Sequence, residues 1–188
     1  YPIDNKNSPI NISNFNSIGG STILYSGHFL RFHPSDFKVK TLDKVGSDWP
    51  INYNDLEKYY ELNEKNMNVA GLVGDKAYPK INKLSKPVEL GILGETIANG
   101  FNKLGWHWWP SYSAVATKKY KDRKKGSITN AYNTYYKKAL KNGVKFFQNH
   151  RVIKIKINKS GNAEGAIYFD ENNNKKFFKA FLIILACS

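Results

Sequence analysis

The hydrophobic period changes over the last 45 or so residues of the chain, and this constrains the fold more than any other feature. Val144 and Phe146, then Val152, Ile153, Ile155 and Ile157, alternate with polar residues, the two-residue period of a half-covered strand. Lys159-Ser160-Gly161-Asn162 supplies a turn, residues 165–169 a second strand, residues 170–174 another turn, and residues 176–181 a returning strand. Leu182, Ile183, Ile184, Leu185 and Ala186 then abandon alternation. A continuous apolar run is what a strand covered on both faces requires, as in a parallel sheet flanked by helices.

Upstream the period is helical. A first helix is expected over 55–67, with Leu56, Tyr59, Tyr60 and Asn63 on one face. A second is capped by Ser85, carries Pro87 in its first turn, shows the stripe Leu93, Ile97, Phe101 and Leu104, and stops at Gly105. A third covers 128–141, with Tyr132, Tyr135, Tyr136, Ala139 and Leu140 inward and Asn142-Gly143 as the stop. Residues 1–17 read as loop, and residues 28–54, with Pro34, Gly46 and Pro50, as an ordered but irregular surface crossing. Three helices, a β-meander and a doubly covered strand indicate the α/β class with an appended small sheet. No internal repeat is present.

Several functions are excluded on composition. No run reaches the roughly 18 apolar residues of a membrane helix. A single cysteine, Cys187, rules out an internal disulfide framework and a cysteine-based zinc cluster. His28, His33, His107 and His150 show no metal-ligand spacing. The net charge of +14 invites a nucleic-acid reading, centred on Lys118-Lys119-Tyr120-Lys121 and Arg123-Lys124-Lys125. Yet only Arg31, Arg123 and Arg151 are arginines, and base and phosphate readers lean on arginine's planar fork. Lysine, asparagine, isoleucine, tyrosine and phenylalanine are residues of A/T-rich codons, so genome composition could set this balance without selection for phosphate contacts, and no nucleic-acid partner is expected. The chain opens on Tyr1 and closes at Ser188 directly after an apolar run, and we read it as an internal fragment whose compartment signals are not legible.

The stretch most loaded with chemistry is Ile18-Gly19-Gly20-Ser21-Thr22. Two glycines admit positive φ and close approach of a ligand to the backbone. The next two residues add hydroxyls and N–H groups suited to an anion. An ordinary Gly-Gly turn explains the same residues equally well. No G-x-G-x-x-G is present, and no G-x-S-x-G elbow surrounds Ser21. Trp106, Trp108 and Trp109 either line a substrate entrance or pack, with packing favoured.

A wider pattern joins this stretch to others. Residues 19–27 (GGSTILYSG), 30–37 (LRFHPSDF) and 48–51 (DWPI), with Tyr53, Asp55, Leu56, Tyr59 and Tyr60, resemble the glucose–methanol–choline (GMC) family of FAD-dependent oxidoreductases. The similarity is greatest to the branch of sugar and gluconate dehydrogenases and pyranose oxidases. It continues, in collinear order, through Lys125-Gly126-Ser127, Ala139, Gly143-Val144, Arg151-Val152, Ile155, Gly161, Ala163, Gly165 and Tyr168 to residues 182–187.

The resemblance implies part of a Rossmann-like FAD-binding domain carrying a β-meander and an inserted helical or irregular segment. Residues 1–50 would form an FAD-contacting loop segment, residues 51–120 an insertion towards the substrate domain, and residues 121–188 a return to the FAD-binding domain. It places Gly19, Gly20, Ser21 and Thr22 against the pyrophosphate and flavin, and the backbone of Val152 against the adenine. The activity implied is hydride transfer from an alcohol or sugar carbon to flavin N5. The dinucleotide fingerprint, in an N-terminal βαβ, would precede this chain, and the histidine base would follow it, so no catalytic residue is assigned within it. Leu24 and Tyr25 occupy the positions where some members carry the histidine that binds flavin covalently, and non-covalent FAD is therefore expected. The cysteine-rich segment found before the Lys-Gly-Ser block in sugar dehydrogenases is absent. A catalytically inactive scaffold and a basic nucleic-acid-binding module are the alternatives.

Overall fold

A computed structural model describes residues 6–10, 15–119 and 123–187. Residues 1–5 and 11–14 of the expected N-terminal loop, Tyr120 and Lys121 of the basic cluster, and Ser188 lie outside the described residues. The backbone divides into two compact units, one ending at Lys141 and one beginning at Asn142. The architecture is mixed: short helices and crossed extended segments in the first unit, and a three-stranded antiparallel sheet in the second.

In the first unit the order is a 3-10 turn Gly20–Ile23, a 3-10 turn Pro34–Lys38, α1 (Val39–Asp43), α2 (Tyr53–Met67), α3 (Gly91–Leu104), a π-helical turn Tyr132–Tyr136 and α4 (Lys137–Lys141). Its spine is the extended segment 112–116. Tyr112 O accepts from Phe29 N at 3.0 Å, Ser113 exchanges two bonds with Ala70, and Ala114 bonds both Gly27 O and Thr129 N at 2.7 Å. Such close crossings require small residues, and Ala70, Ala114 and Ala116 are wholly buried. Around them Met67, Val69, Ile81 and Tyr112 form the core, with Tyr25, Phe29, Leu84 and Trp109 packed against it.

α2 starts two residues ahead of the expected position 55, because Asn52 caps it. Asn52 Oδ1 accepts from the amides of Asn54 and Asp55, and Asp55 Oδ2 accepts from Asn52 N at 2.8 Å, a reciprocal capping box. Most of the expected face turns inward: Leu56, Tyr60 and Asn63 are half-buried beside buried Tyr53, Glu64 and Met67, while Tyr59 is exposed. What the apolar pattern did not anticipate is that the helix packs the charge of Glu64 inward. Arg31, in the stretch expected to cross the surface, is buried too. Its guanidinium donates to Glu64 Oε1 at 2.6 Å, to Glu64 Oε2 at 2.7 Å and to the Tyr53 hydroxyl at 2.7 Å. The Tyr60 ring lies 5.5 Å from the guanidinium carbon. Burial works against the charge on Arg31, but the bonds to Glu64 and Tyr53 outweigh it and hold the pKa above its ordinary value. Residues 28–54 are therefore anchored into the core, as Phe37 confirms at 2% exposure.

Four further expectations are corrected. The second helix begins at Gly91 rather than near Ser85, since Ser85 pairs with Ala70 in an extended bridge. Its stripe does not face a core: Leu93, Ile97 and Leu104 are exposed and only Ala98 is buried. Its end at Gly105, left-handed at φ 68°, is as read. The third helix is confined to the π turn and α4, because Ile128 bridges Val115 and Thr129 bonds Ala114. Tyr132, Tyr135 and Leu140 are exposed there rather than inward.

The second unit is the expected meander. β1 (Arg151–Ile157), β2 (Ala163–Phe169) and β3 (Lys175–Lys179) pair antiparallel in that order. Asn158 and Asp170 close the two turns through side-chain acceptors: Asn158 Oδ1 bonds Ser160 N and Asn162 N, and Asp170 Oδ1 bonds Asn172 N and Asn174 N. Val144 and Phe146 are not in a strand. Nor is the run at 182–186. Leu182, Ile184 and Leu185 are exposed, because a strand covered on both faces needs neighbours on either side and none among the described residues pairs with it. Among the described residues no helix is long and apolar enough to cross a membrane.

Candidate functional site

In the Gly19-Gly20-Ser21-Thr22 stretch Gly19 caps the 3-10 turn Gly20–Ile23, and the two glycines have different roles. Gly19 sits at φ 97°, and a Cβ there would stand 2.9 Å from Ile23 Cδ1 and 3.0 Å from the Tyr132 backbone nitrogen. It is a glycine because the chain passes too close for any side chain. Gly20, at φ 55°, has nothing within 4 Å of where its Cβ would be, so the outer edge of the turn is open.

Thr22 ties the turn down. Its hydroxyl donates to Gly19 O at 2.5 Å and accepts from Ala131 N at 3.0 Å, across 109 residues of sequence. Three residues on, the Tyr25 hydroxyl donates to Thr129 O, and burial pushes its phenol above the ordinary value. The Ser21 side chain is exposed, and its hydroxyl accepts from Phe15 N at 3.4 Å. The structure thus brings the Gly-Gly-Ser-Thr stretch together with the chain just after Lys125-Gly126-Ser127, two blocks far apart in sequence. Leu24, beside them, is 70% exposed.

Val152 lies in the other unit, on β1 opposite Tyr168, and is exposed. One cavity of the first unit, of about 440 Å³, lies away from the turn, lined by Glu61, Lys65, Asn68, Asn82 and Ser85, against the C-terminal half of α2.

Other residues singled out from the sequence are dispersed. Arg123, of the basic cluster, is buried and donates to Thr129 Oγ1 at 2.6 Å, so it holds the segment beneath the turn rather than facing solvent. Lys118, Lys119, Lys124 and Lys125 are exposed. The tryptophans divide: Trp109 packs on the core and donates to Leu72 O, whereas Trp106 is 62% exposed and stacks on Phe101. His107 Nε2 pairs with Asp75 Oδ1 at 2.8 Å. Among the described residues no three metal-ligating side chains converge.

Gly71 was missed by sequence reading. A Cβ there would fall 2.4 Å from the Tyr112 ring, so this glycine lets the ring into the core beneath Gly27 and Phe29. Its signal, a lone glycine after the helix stop, is indistinguishable from a loop residue.

No protein-family model matches the chain. It is 32% identical over 206 aligned positions to the 2-methyl-1,2-propanediol dehydrogenase of Mycolicibacterium austroafricanum, taking in all of this chain and 37% of that protein. It is 36% identical over 62 residues to the fructose dehydrogenase large subunit of Gluconobacter japonicus, covering 33% of this chain and 11% of that one. It is 38% identical over 58 residues to the 6'''-hydroxyparomomycin C oxidase of Streptomyces lividus, covering 29% and 11%. The chain therefore spans little more than a third of the longest-matched relative. All three relatives are named as dehydrogenases or oxidases, and the chain is similar to oxidoreductases of that kind.

Proposed function

We propose that this chain is a segment of a GMC-type oxidoreductase that oxidises an alcohol or sugar CH–OH group, holding FAD non-covalently with Gly19, Gly20, Ser21, Thr22 and Val152 among its contacts. The observation that carries the reading is the similarity over the whole chain to a 2-methyl-1,2-propanediol dehydrogenase, with partial similarity to a fructose dehydrogenase large subunit and a hydroxyparomomycin oxidase.

The residues at the turn fit such a group. Its open edge at Gly20 admits a ligand to the backbone, while Thr22 and Tyr25 fix the turn from behind. Bound FAD would supply the hydride-accepting flavin ring. The chain's own part is to orient it. Leu24 offers no nucleophile and the Tyr25 hydroxyl is engaged with Thr129 O, which favours non-covalent binding. The exposed run at 182–186 would be a strand of the Rossmann-like sheet, covered in the whole protein. The proton acceptor is proposed to lie in a part of the protein outside these 188 residues.

The complete protein, purified from its own reading frame, is expected to carry about one FAD per chain, bleached anaerobically by a vicinal diol or a sugar. A protein without flavin overturns the cofactor assignment. One whose flavin no alcohol or sugar reduces is the inactive scaffold instead.

A further inference from the structure

We propose that one face of the meander binds single-stranded nucleic acid, a function independent of the flavin reading. Paired residues of a sheet share a face, so the register fixes what each face presents. Three rows run across the strands: Arg151, Phe169 and Lys175; Lys154, Ile167 and Phe177; Lys156, Gly165 and Lys179. The face thus carries two rails of cations on the outer strands and an apolar floor on β2. No carboxylate occurs in these rows. The opposite face, with Val152, Tyr168, Ile155, Ala166 and Phe178 in its rows, has only Lys176.

A preference for A/T-rich codons would account for a high number of lysines, but not for five of the unit's eight Lys and Arg residues gathering on one side of one sheet. All five are exposed. Among the described residues only Lys156 of the five has an ion-pair partner, Glu164 at 2.9 Å. Opposite charge on a partner is what these rails lack.

The floor selects the class of polyanion. A Cβ on Gly165 would stand 2.7 Å from two atoms of the Phe177 ring, so the ring lies against the sheet over the glycine. It is 47% exposed, with the Lys156 ammonium 5.4 Å from its centroid. Arg151 lies 5.2 Å from the Phe169 ring in the same way. Aromatic rings lying among cations give successive bases a stacking platform while the cations follow the phosphates. An acidic polypeptide would use the charges and leave the rings without a function, and a lipid surface calls for rings that project into it, whereas the Phe177 ring lies against the sheet.

The test is fluorescence anisotropy of a labelled oligothymidylate of about 15 nucleotides on the full chain. The expected log–log salt slope is about −3, as for four or five neutralised phosphates on a single strand. Reversing Lys154, Lys175 and Lys179 to Glu should weaken binding at least tenfold, and the same positions changed to Gln should weaken it less but in the same direction, which guards against misfolding of the reversed form. Reversing Lys76, Lys80 and Lys83 of the first unit should change it less than twofold. Phe177→Leu should cost roughly fivefold with the oligonucleotide and nothing with inorganic polyphosphate. Equal losses from both lysine sets overturn the proposal, as does equal loss of both ligands in Phe177→Leu. Tighter binding of poly-glutamate than of the oligonucleotide would also overturn it.

Discussion

Removing Arg31 while leaving Glu64 in place should be among the most damaging single changes to the first unit. Arg31 is 4% and Glu64 5% exposed, and both carboxylate oxygens are taken by the guanidinium. In Arg31→Met the carboxylate stays buried without its partner, and the Tyr53 hydroxyl loses its donor as well. Breaking one side of such a pair costs about 3–5 kcal/mol, roughly two to nearly four orders of magnitude in the unfolding constant. Replacing both, as in Arg31→Met with Glu64→Leu, removes the orphaned charge and should recover most of that loss, because a buried pair differs little from a well-packed apolar one. Urea unfolding followed by tryptophan fluorescence would measure the cycle. Two single variants that each cost under about 1 kcal/mol, and that add, would refute the view that desolvation dominates this pair.

The same structure predicts other responses. Tyr25, Tyr60 and Tyr112 all have phenols raised above 10.0 by burial, so the stability they confer is whole below that pH and is lost as pH climbs through the folded values. Urea midpoints that stay flat while tyrosinate absorbance rises would contradict this. Asp48 accepts from the Thr41 hydroxyl and amide, which hold it below 3.8; its contribution is present above 3.8 and is lost as pH falls through the lower folded value, and Asp48→Asn should flatten that acid limb. Gly165→Ala would place a Cβ 2.2 Å from Phe178 O and should destabilise the meander by about 1–3 kcal/mol, read as loss of strand signal in circular dichroism on heating. The 188-residue chain alone should not retain stoichiometric FAD through gel filtration.

What was legible in the sequence was local. Asn158 and Asp170 announce the turns of the meander because their side chains satisfy the backbone within a few residues. Gly105 ends a helix by its own conformational freedom. On α2 most of the inward face was legible but the burial of Glu64 was not, since periodicity counts apolar residues and its partner lies 33 positions away. The exposed stripe of α3 and the run at 182–186 have apolar patterns identical to those of covered elements; only neighbours decide, and these are not in local sequence. At the candidate site the glycines were visible, but not that Gly19 is fixed by Tyr132 while Gly20 is open. The basic face of the sheet emerges only once the bulges set the register, because Ile153 shifts the alternation within β1.

The most direct test of the account is hydrogen exchange on the complete protein, compared between its flavin-loaded and flavin-stripped forms. Contact of the Gly19-Gly20-Ser21-Thr22 turn with the cofactor predicts slower exchange of amides 19–25 in the loaded form, with a second protected segment around Val152. Flavin that binds and protects other segments, while these amides exchange at the same rate in both forms, would contradict it.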